Sequence, residues 1–95
     1  MTYAQLQRLA FIDWRMLTAG SIRREHISKT FSVSMARASG DIQAFIAAYP
    51  DAISYDKSAL QYVPAGRYRS VTGWTQAGLR AWKLAHQRGV SWAWG

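Results

Sequence analysis

The chain has 95 residues, of which 49% are hydrophobic and 14% aromatic, so length and composition predict one small folded domain and argue against a disordered chain. Twelve Lys and Arg oppose five Asp and Glu, a formal net charge of +7, which favours a polyanionic partner such as nucleic acid. The absence of cysteine excludes disulfides and cysteine metal sites, and no apolar run approaches the roughly 18 residues of a membrane span.

The first element in chain order is a predicted helix over residues 3–17. Thr2 and Gln5 have the spacing of a capping box, which satisfies backbone N–H groups of the first helical turn. Phe11 and Trp14 lie on a flank of this helix. The helical period places five apolar side chains on its core-facing side, namely Leu6, Leu9, Ala10, Met16 and Leu17.

Two further helices are predicted over residues 24–31 and 35–49, with only a tight turn between them. Ser34 can cap the second of these helices, and Pro50 stops it. Its apolar residues follow the helical period and are Ala38, Ile42, Phe45, Ile46 and Tyr49. Two short helices joined in this way form a helix-turn-helix, whose second helix is free to enter a DNA major groove.

After Pro50 the helical period gives way to strict alternation. Residues 53–56 and 60–63 both alternate, and the residues between them can form a hairpin loop. Four side chains are expected to face the helices, namely Ile53, Tyr55, Leu60 and Tyr62. Three helices and a two-stranded hairpin predict a mainly α fold, a winged helix-turn-helix domain over residues 1–66, followed by a basic, Trp-rich extension over residues 67–95.

Four short motifs carry a resemblance to a known family. They are R-L-x-F-I-D-W at residues 8–14, F-x-V-S at 31–34, A-S-x-D-I at 38–42 and Y-D-K-S at 55–58. In order and spacing they resemble the N-terminal winged helix-turn-helix domain of WYL-domain transcriptional regulators, which are bacterial and phage repressors. The resemblance covers residues 6–65 and implies binding of double-stranded DNA. Those regulators continue into a ligand-sensing domain where this chain ends, so a stand-alone domain is expected.

The resemblance also places candidate DNA-binding residues on the exposed, N-terminal part of the second helix of the motif. These are Ser34, Met35, Arg37, Ser39 and Gly40. Arg37 is the one long donor among them and can form a bidentate pair with guanine, although a solvated surface arginine is the alternative. Ala36 and Ala38 are expected to pack between helices, and the Asp41 carboxylate to bind a donor inside the domain. Ser32 holds a turn position that the family usually fills with glycine.

Other cations are expected at DNA phosphates, where contacts position the protein without specifying sequence. They are Arg23, Arg24, Lys29, Lys57, Arg67 and Arg69. Each of them could instead be a solubilising surface charge. Bound to DNA, the protein is expected in the cytoplasm and associated with the nucleoid.

The extension contains a predicted helix over residues 75–87, and four of the five tryptophans lie at position 74 or later. This helix either packs on the first helix of a second copy, which gives a homodimer, or folds back on its own domain. The candidate dimer-interface residues are Trp14, Trp74, Trp82, Trp92 and Trp94. The narrow, Ala-rich stripe of the helix argues against a membrane-surface role.

Catalysis has little support in this sequence. His26 and His86 lie on different predicted helices, and no His/Glu pair has metal-ligand spacing. We expect no enzyme activity, catalytic residue, metal or cofactor. The leading hypothesis is a homodimeric, sequence-specific DNA-binding repressor. The alternatives are a protein-interaction module, acting as inhibitor or adaptor through the extension, and a non-specific architectural DNA-binding protein.

Overall fold

The structure is a computed structural model that describes residues 2–72. Its elements in chain order are α1 (Tyr3–Thr18), α2 (Arg24–Phe31), α3 (Met35–Ala48), β1 (Ile53–Asp56) and β2 (Gln61–Pro64). The two strands pair antiparallel as a hairpin, the wing. The predicted winged helix-turn-helix fold is therefore confirmed. The predicted helix over residues 75–87 lies outside the described residues, and none of the helices in residues 2–72 has the length and apolar content that a membrane crossing requires.

Side-chain hydrogen bonds begin all three helices. The Thr2 hydroxyl accepts from the backbone N–H of Gln5 at 3.1 Å, and the Ser34 hydroxyl accepts from that of Arg37 at 3.0 Å, as the sequence predicts for N-caps. In α2 the roles are reversed, because the backbone N–H of Arg23 donates to Nδ1 of His26 at 2.9 Å. A histidine thus supplies the acceptor where no Ser or Asn cap is present.

The core lies where the helices meet and is closed on one side by the wing. Its largest fully buried apolar side chains are Phe11, Ile12, Ile22, Ile27 and Phe45. Phe11 packs edge-on against Phe31 with 5.4 Å between ring centroids. The prediction that Phe11 lies on a flank is wrong, because residues 8–13 are buried around the whole circumference of α1. Leu17, expected in the core, is exposed in the last turn of α1.

The wing differs from the prediction by one residue. Tyr55 pairs with Tyr62 and Ile53 with Pro64, so the second strand starts one position later than expected and the loop spans residues 57–60. Leu60 therefore lies in the loop with a left-handed φ of 56° and does not face the helices. Tyr55 is also exposed, and its ring contacts that of Tyr62 with 4.9 Å between centroids.

Backbone pairing fixes the wing to the helices. Ile22, in the segment between α1 and α2, donates its N–H to the Tyr62 carbonyl at 3.0 Å and accepts the Tyr62 N–H at 2.9 Å. These two bonds form an isolated antiparallel bridge on the outer side of β2. Because Ile22 is itself fully buried, the hairpin is held at a defined position beside the helix-turn-helix.

Candidate nucleic-acid interface

The N-terminal half of α3 presents small and polar side chains to solvent. Ala36, Arg37, Gly40 and Gln43 are all exposed, and their spacing places them on one side of the helix. Ala38 is fully buried, as predicted. The prediction that Ala36 packs between helices is wrong, because two residues along a helix lie on nearly opposite sides.

The sequence-predicted residues of α3 separate into two groups. Arg37 and Gly40 lie on the exposed face, and apart from the neighbouring residues and backbone of α3 itself, nothing lies within 4 Å of the position that a Cβ on Gly40 would take. Ser39 is half-buried and lies toward α2, where its hydroxyl accepts from Nη1 of Arg24 at 3.5 Å. Ser34 is exposed but uses its hydroxyl oxygen as the N-cap acceptor, and Met35 is half-buried.

Gln43 is a residue of this face that sequence reasoning missed. It lies three residues after Gly40 and seven after Ala36, so the helical period of the exposed face gave a signal for it. Its amide can form a bidentate pair with adenine, as the guanidinium of Arg37 can with guanine. The exposed face therefore carries two side chains that are chemically able to pair with a base, in the first and third turns of α3.

Two arginines and one acid, Glu25, line a cleft between the wing and the helix-turn-helix, and Nε of Arg24 lies 3.8 Å from Oε1 of Glu25. The cleft has a volume of about 410 Å³, and Arg23, Arg24 and Gln43 are among its lining residues. Nη2 of Arg23 donates to the Ala59 carbonyl at 3.1 Å. Lys29 and Lys57 are exposed as well.

Arg67 and Arg69 belong to a different place on the surface. They line a second hollow beside Tyr49 and Pro50, at the C-terminal end of α3, whereas Arg37 lies near its beginning. The structure therefore does not bring these two arginines together with the cations of the first cleft.

Two acidic side chains are buried, so fewer negative charges remain on the surface to offset the cations. Asp41 is fully buried and forms an ion pair with buried Arg8, with contacts from Nε to Oδ2 and from Nη2 to Oδ1, the latter at 3.3 Å. Gln5 donates its side-chain amide to Oδ1 of Asp41 at 3.3 Å. The prediction that Asp41 binds a donor inside the domain is confirmed, and this network fixes α3 against α1.

The second buried acid is Asp13, which the sequence analysis did not single out. Its carboxylate accepts hydrogen bonds from the hydroxyls of Tyr68, Ser70 and Thr72 at 2.6–2.8 Å. Burial, followed by the hydrogen bond and charge of Asp13, raises the pKa of Tyr68. The only sequence signal was a carboxylate inside the apolar run at residues 8–14, and its partners lie beyond the wing.

The turn between α2 and α3 is closed by local hydrogen bonds. Ser32 adopts the left-handed conformation, with φ 55° and ψ 44°, as expected for a position usually held by glycine. The Ser28 hydroxyl donates to the Val33 carbonyl at 2.7 Å, and the Val33 N–H donates to the Ser28 carbonyl at 3.2 Å. These contacts set the angle at which α3 leaves α2.

Trp14 is the one candidate dimer-interface residue within the described part of the chain. It is half-buried and stacks on Phe11 with 6.0 Å between ring centroids. The other candidates, Trp74, Trp82, Trp92 and Trp94, lie outside the described residues.

Comparison with known proteins identifies the domain type. A family model described as the BrxR transcriptional regulator winged helix-turn-helix domain matches residues 4–77. Two relatives, one from Escherichia coli strain KTE188 and one from Escherichia coli, are each named DNA-binding transcriptional repressor CapW and are 35% identical to this chain over 60 residues. The alignment covers 63% of this chain and 20% of each relative, so the chain spans about a fifth of the length of these relatives. The family match confirms the predicted resemblance to a regulator winged helix-turn-helix domain.

Proposed function

Because this chain belongs to the family of BrxR transcriptional regulator winged helix-turn-helix domains, we propose that it binds double-stranded DNA sequence-specifically, as a homodimeric repressor. The observation that carries this proposal is the exposed face of α3, where Arg37 and Gln43 flank small residues and no acidic side chain lies among them. The name of the two relatives, which describes DNA-binding repressors, supports repression as the regulatory outcome.

The proposed complex has α3 in the major groove. Ala36 and Gly40 present almost no side chain, so the helix can approach the base edges closely. Arg37 then pairs with a guanine and Gln43 with an adenine, each pair contributing roughly 1–3 kcal/mol of discrimination against other bases. The Arg8–Asp41 ion pair supports this role indirectly, since it holds α3 against α1 through a buried contact.

Phosphate contacts provide the remaining affinity. Arg23, Arg24, Lys29 and Lys57 are exposed near the α2 and wing side of the domain, where they can neutralise phosphates flanking the α3 site. Each neutralised phosphate makes the slope of log affinity against log salt concentration more negative by roughly 0.9. A protein that uses several of them will therefore lose most of its DNA affinity between low and moderate salt.

A homodimer is the proposed assembly because dimeric helix-turn-helix proteins read paired half-sites with their two recognition helices. Trp14 on α1 and the tryptophan-rich residues 74–95 are the candidate contacts. A dimer would double the number of base contacts without a larger domain.

Binding-site selection from random duplexes, at a stated salt concentration, tests this function directly. We expect one recovered sequence motif, repeated in inverted orientation, which would report specificity and twofold symmetry together. Bound duplexes without a common motif would favour architectural, non-specific binding. A chain that retains no duplex at low salt would refute the proposal and favour a protein-interaction module.

A further inference from the structure

The wing loop carries an exposed leucine in a strained backbone conformation. Leu60 is 65% exposed and has a φ of 56°, in the left-handed region that disfavours any residue with a Cβ and bulky ones most. Neither feature stabilises the fold, because the side chain buries little apolar surface and the backbone is strained. Residues in sparsely populated backbone conformations cluster at ligand contacts, and Leu60 is the last residue of the hairpin loop, next to the first strand pair Asp56–Gln61.

Hydrogen bonds hold the loop that presents Leu60. Oδ1 of Asp56 accepts from the backbone N–H groups of Ser58 at 3.0 Å and Ala59 at 3.2 Å. On the other side, the guanidinium of Arg23 donates to the Ala59 carbonyl, which ties the loop to the start of α2. Leu60 therefore stands at a fixed position relative to the helix-turn-helix.

The cleft between α3 and the wing indicates what lies against this residue. Arg23, Arg24 and Gln43 line it from the helices, and Tyr55 and Leu60 from the wing. In B-DNA a single phosphate backbone separates the major groove from the neighbouring minor groove. The acid Glu25 also lines this cleft, so a phosphate there would contact the two arginines. With α3 in the major groove, a phosphate backbone in the cleft brings the wing loop over the minor groove.

Charge around the loop fits the same partner. Arg23, Arg24 and Lys57 are exposed on the side of the domain that carries Leu60, where exposed Glu25 offsets one of these three positive charges. The net charge there is still positive, and a narrow minor groove has a strongly negative potential. The apolar side chain of Leu60 with cations beside it is complementary to an apolar base step with phosphates beside it.

We propose that Leu60 is an apolar wedge that enters the minor groove next to the α3 site and partly unstacks one base step. Leucine and similar side chains inserted from the minor groove kink duplex DNA. Pyrimidine–purine steps unstack most easily, so the wedge selects such a step at a fixed distance from the bases that α3 contacts. The inference rests on the proposed function, because it requires α3 in the major groove.

The test uses the full chain and duplexes carrying the sequence recovered by binding-site selection, with 2-aminopurine placed at successive flanking steps. Leu60→Asn removes the apolar side chain and introduces a residue that tolerates the left-handed region, whereas Leu60→Met keeps an apolar side chain. Wild type and Leu60→Met should raise 2-aminopurine fluorescence at one step. Leu60→Asn should abolish that rise and bind about tenfold more weakly.

Controls separate the wedge from other effects. Leu60→Gly removes both strain and side chain and should lose the fluorescence rise as Leu60→Asn does. Leu17→Gln changes the exposed leucine at the end of α1 and should leave affinity and fluorescence unchanged. Thermal unfolding should find Leu60→Gly and Leu60→Asn at least as stable as wild type, since both relieve backbone strain.

Three results would overturn the inference, and they are distinguishable. Equal affinity and fluorescence for Leu60→Asn and wild type would refute the wedge and leave the proposed function intact. A changed sedimenting mass for Leu60→Asn with unchanged DNA binding would assign Leu60 to a contact between protein chains. Failure of the wild-type chain to bind any duplex would refute the proposed function, and the wedge with it.

Discussion

The carboxylate of Asp13 on α1 accepts a 2.6 Å hydrogen bond from the hydroxyl of Tyr68, 55 residues further along the chain. Backbone N–H groups of Val71 and Thr72 donate to the same carboxylate at 3.3 and 3.2 Å. The segment that follows the wing therefore packs against α1, where its donors bind the fully buried carboxylate of Asp13. Thr72, the last residue that the structure describes, is therefore held beside α1.

Asp13→Asn should lower the free energy of unfolding by about 2–3 kcal/mol, because an amide carries no charge and turns donors toward groups that are themselves donors. Urea denaturation measures the change. Asp51→Asn alters an exposed carboxylate and should stay within about 0.5 kcal/mol of wild type. Tyr68→Phe should cost about 1 kcal/mol in wild type and much less in Asp13→Asn. Additive losses would show that the two residues do not act together.

Ser32→Gly should raise the free energy of unfolding by up to about 1 kcal/mol. Ser32 sits in the left-handed region at φ 55°, which costs a residue with a Cβ about 1–2 kcal/mol, and the greater flexibility of glycine in the unfolded chain offsets part of that gain. Ser34→Gly is the matched control, since Ser34 has an ordinary φ and caps α3, and it should lose a few tenths of a kcal/mol. Denaturation midpoints that shift in the same direction would contradict this assignment.

The sequence predicted local structure well because local structure depends on neighbouring residues. Ser34 and Pro50 bound α3, and both act within one helical turn. It did not predict the role of Asp13, which accepts hydrogen bonds from Tyr68, Ser70 and Thr72, 55 to 59 residues away. The sequence analysis placed Leu60 in a strand because the pattern alternates there. Alternation does not reveal that the Asp56 carboxylate binds the backbone N–H groups of Ser58 and Ala59, which makes the loop one residue longer.

The sequence predicted the part of the candidate interface that depends on local signals and missed the part that depends on distant contacts. Arg37 and Gly40 follow from the helix-turn-helix pattern and are exposed as expected. Gln43 was missed because the candidate residues that the resemblance supplied end at Gly40, in the second turn of α3. Arg67 and Arg69 lie away from the cleft because Tyr68, between them, binds Asp13 on α1. No local sequence pattern indicates this tertiary contact.

Arg37→Ala should lower the preference for the selected sequence over a scrambled duplex by roughly tenfold, since a bidentate guanine pair contributes about 1–3 kcal/mol of discrimination. Lys29→Ala is the matched control, because a phosphate contact should weaken binding to both duplexes equally and reduce the salt slope by about one. Competition binding at two salt concentrations measures both quantities. An unchanged ratio of specific to non-specific affinity for Arg37→Ala would remove α3 from base recognition.

Deletion of residues 74–95 should convert a dimer into a monomer and weaken binding to an inverted repeat far more than to a single half-site. Sedimentation equilibrium of the full and shortened chains measures the mass. Circular dichroism of the shortened chain checks that the winged helix remains folded. A full chain that is monomeric at high concentration would refute the proposed homodimer.

Acid pH should destabilise the domain through His26. Burial, followed by the charges of Arg15 and Arg23, lowers the pKa of His26 below its ordinary value of 6.5. The unfolded chain therefore takes up a proton at higher pH than the folded chain does, and the contribution of His26 is complete above pH 6.5 and is lost as pH falls through the lower, folded pKa. The geometry agrees with this sign, because Nδ1 accepts the Arg23 N–H and can do so only when unprotonated.

The difference between wild type and His26→Gln isolates this effect from the titration of carboxylates. Glutamine offers a carbonyl oxygen as acceptor and does not titrate, so the variant should lose less thermal stability than wild type as pH falls from 7 toward 5. His86→Gln changes the other histidine of the chain and should keep the wild-type dependence. Parallel curves for wild type and His26→Gln would show that the start of α2 does not depend on a neutral imidazole. Because Arg23 also holds the wing loop through Ala59, a confirmed effect would couple the position of the wing to the protonation of this histidine.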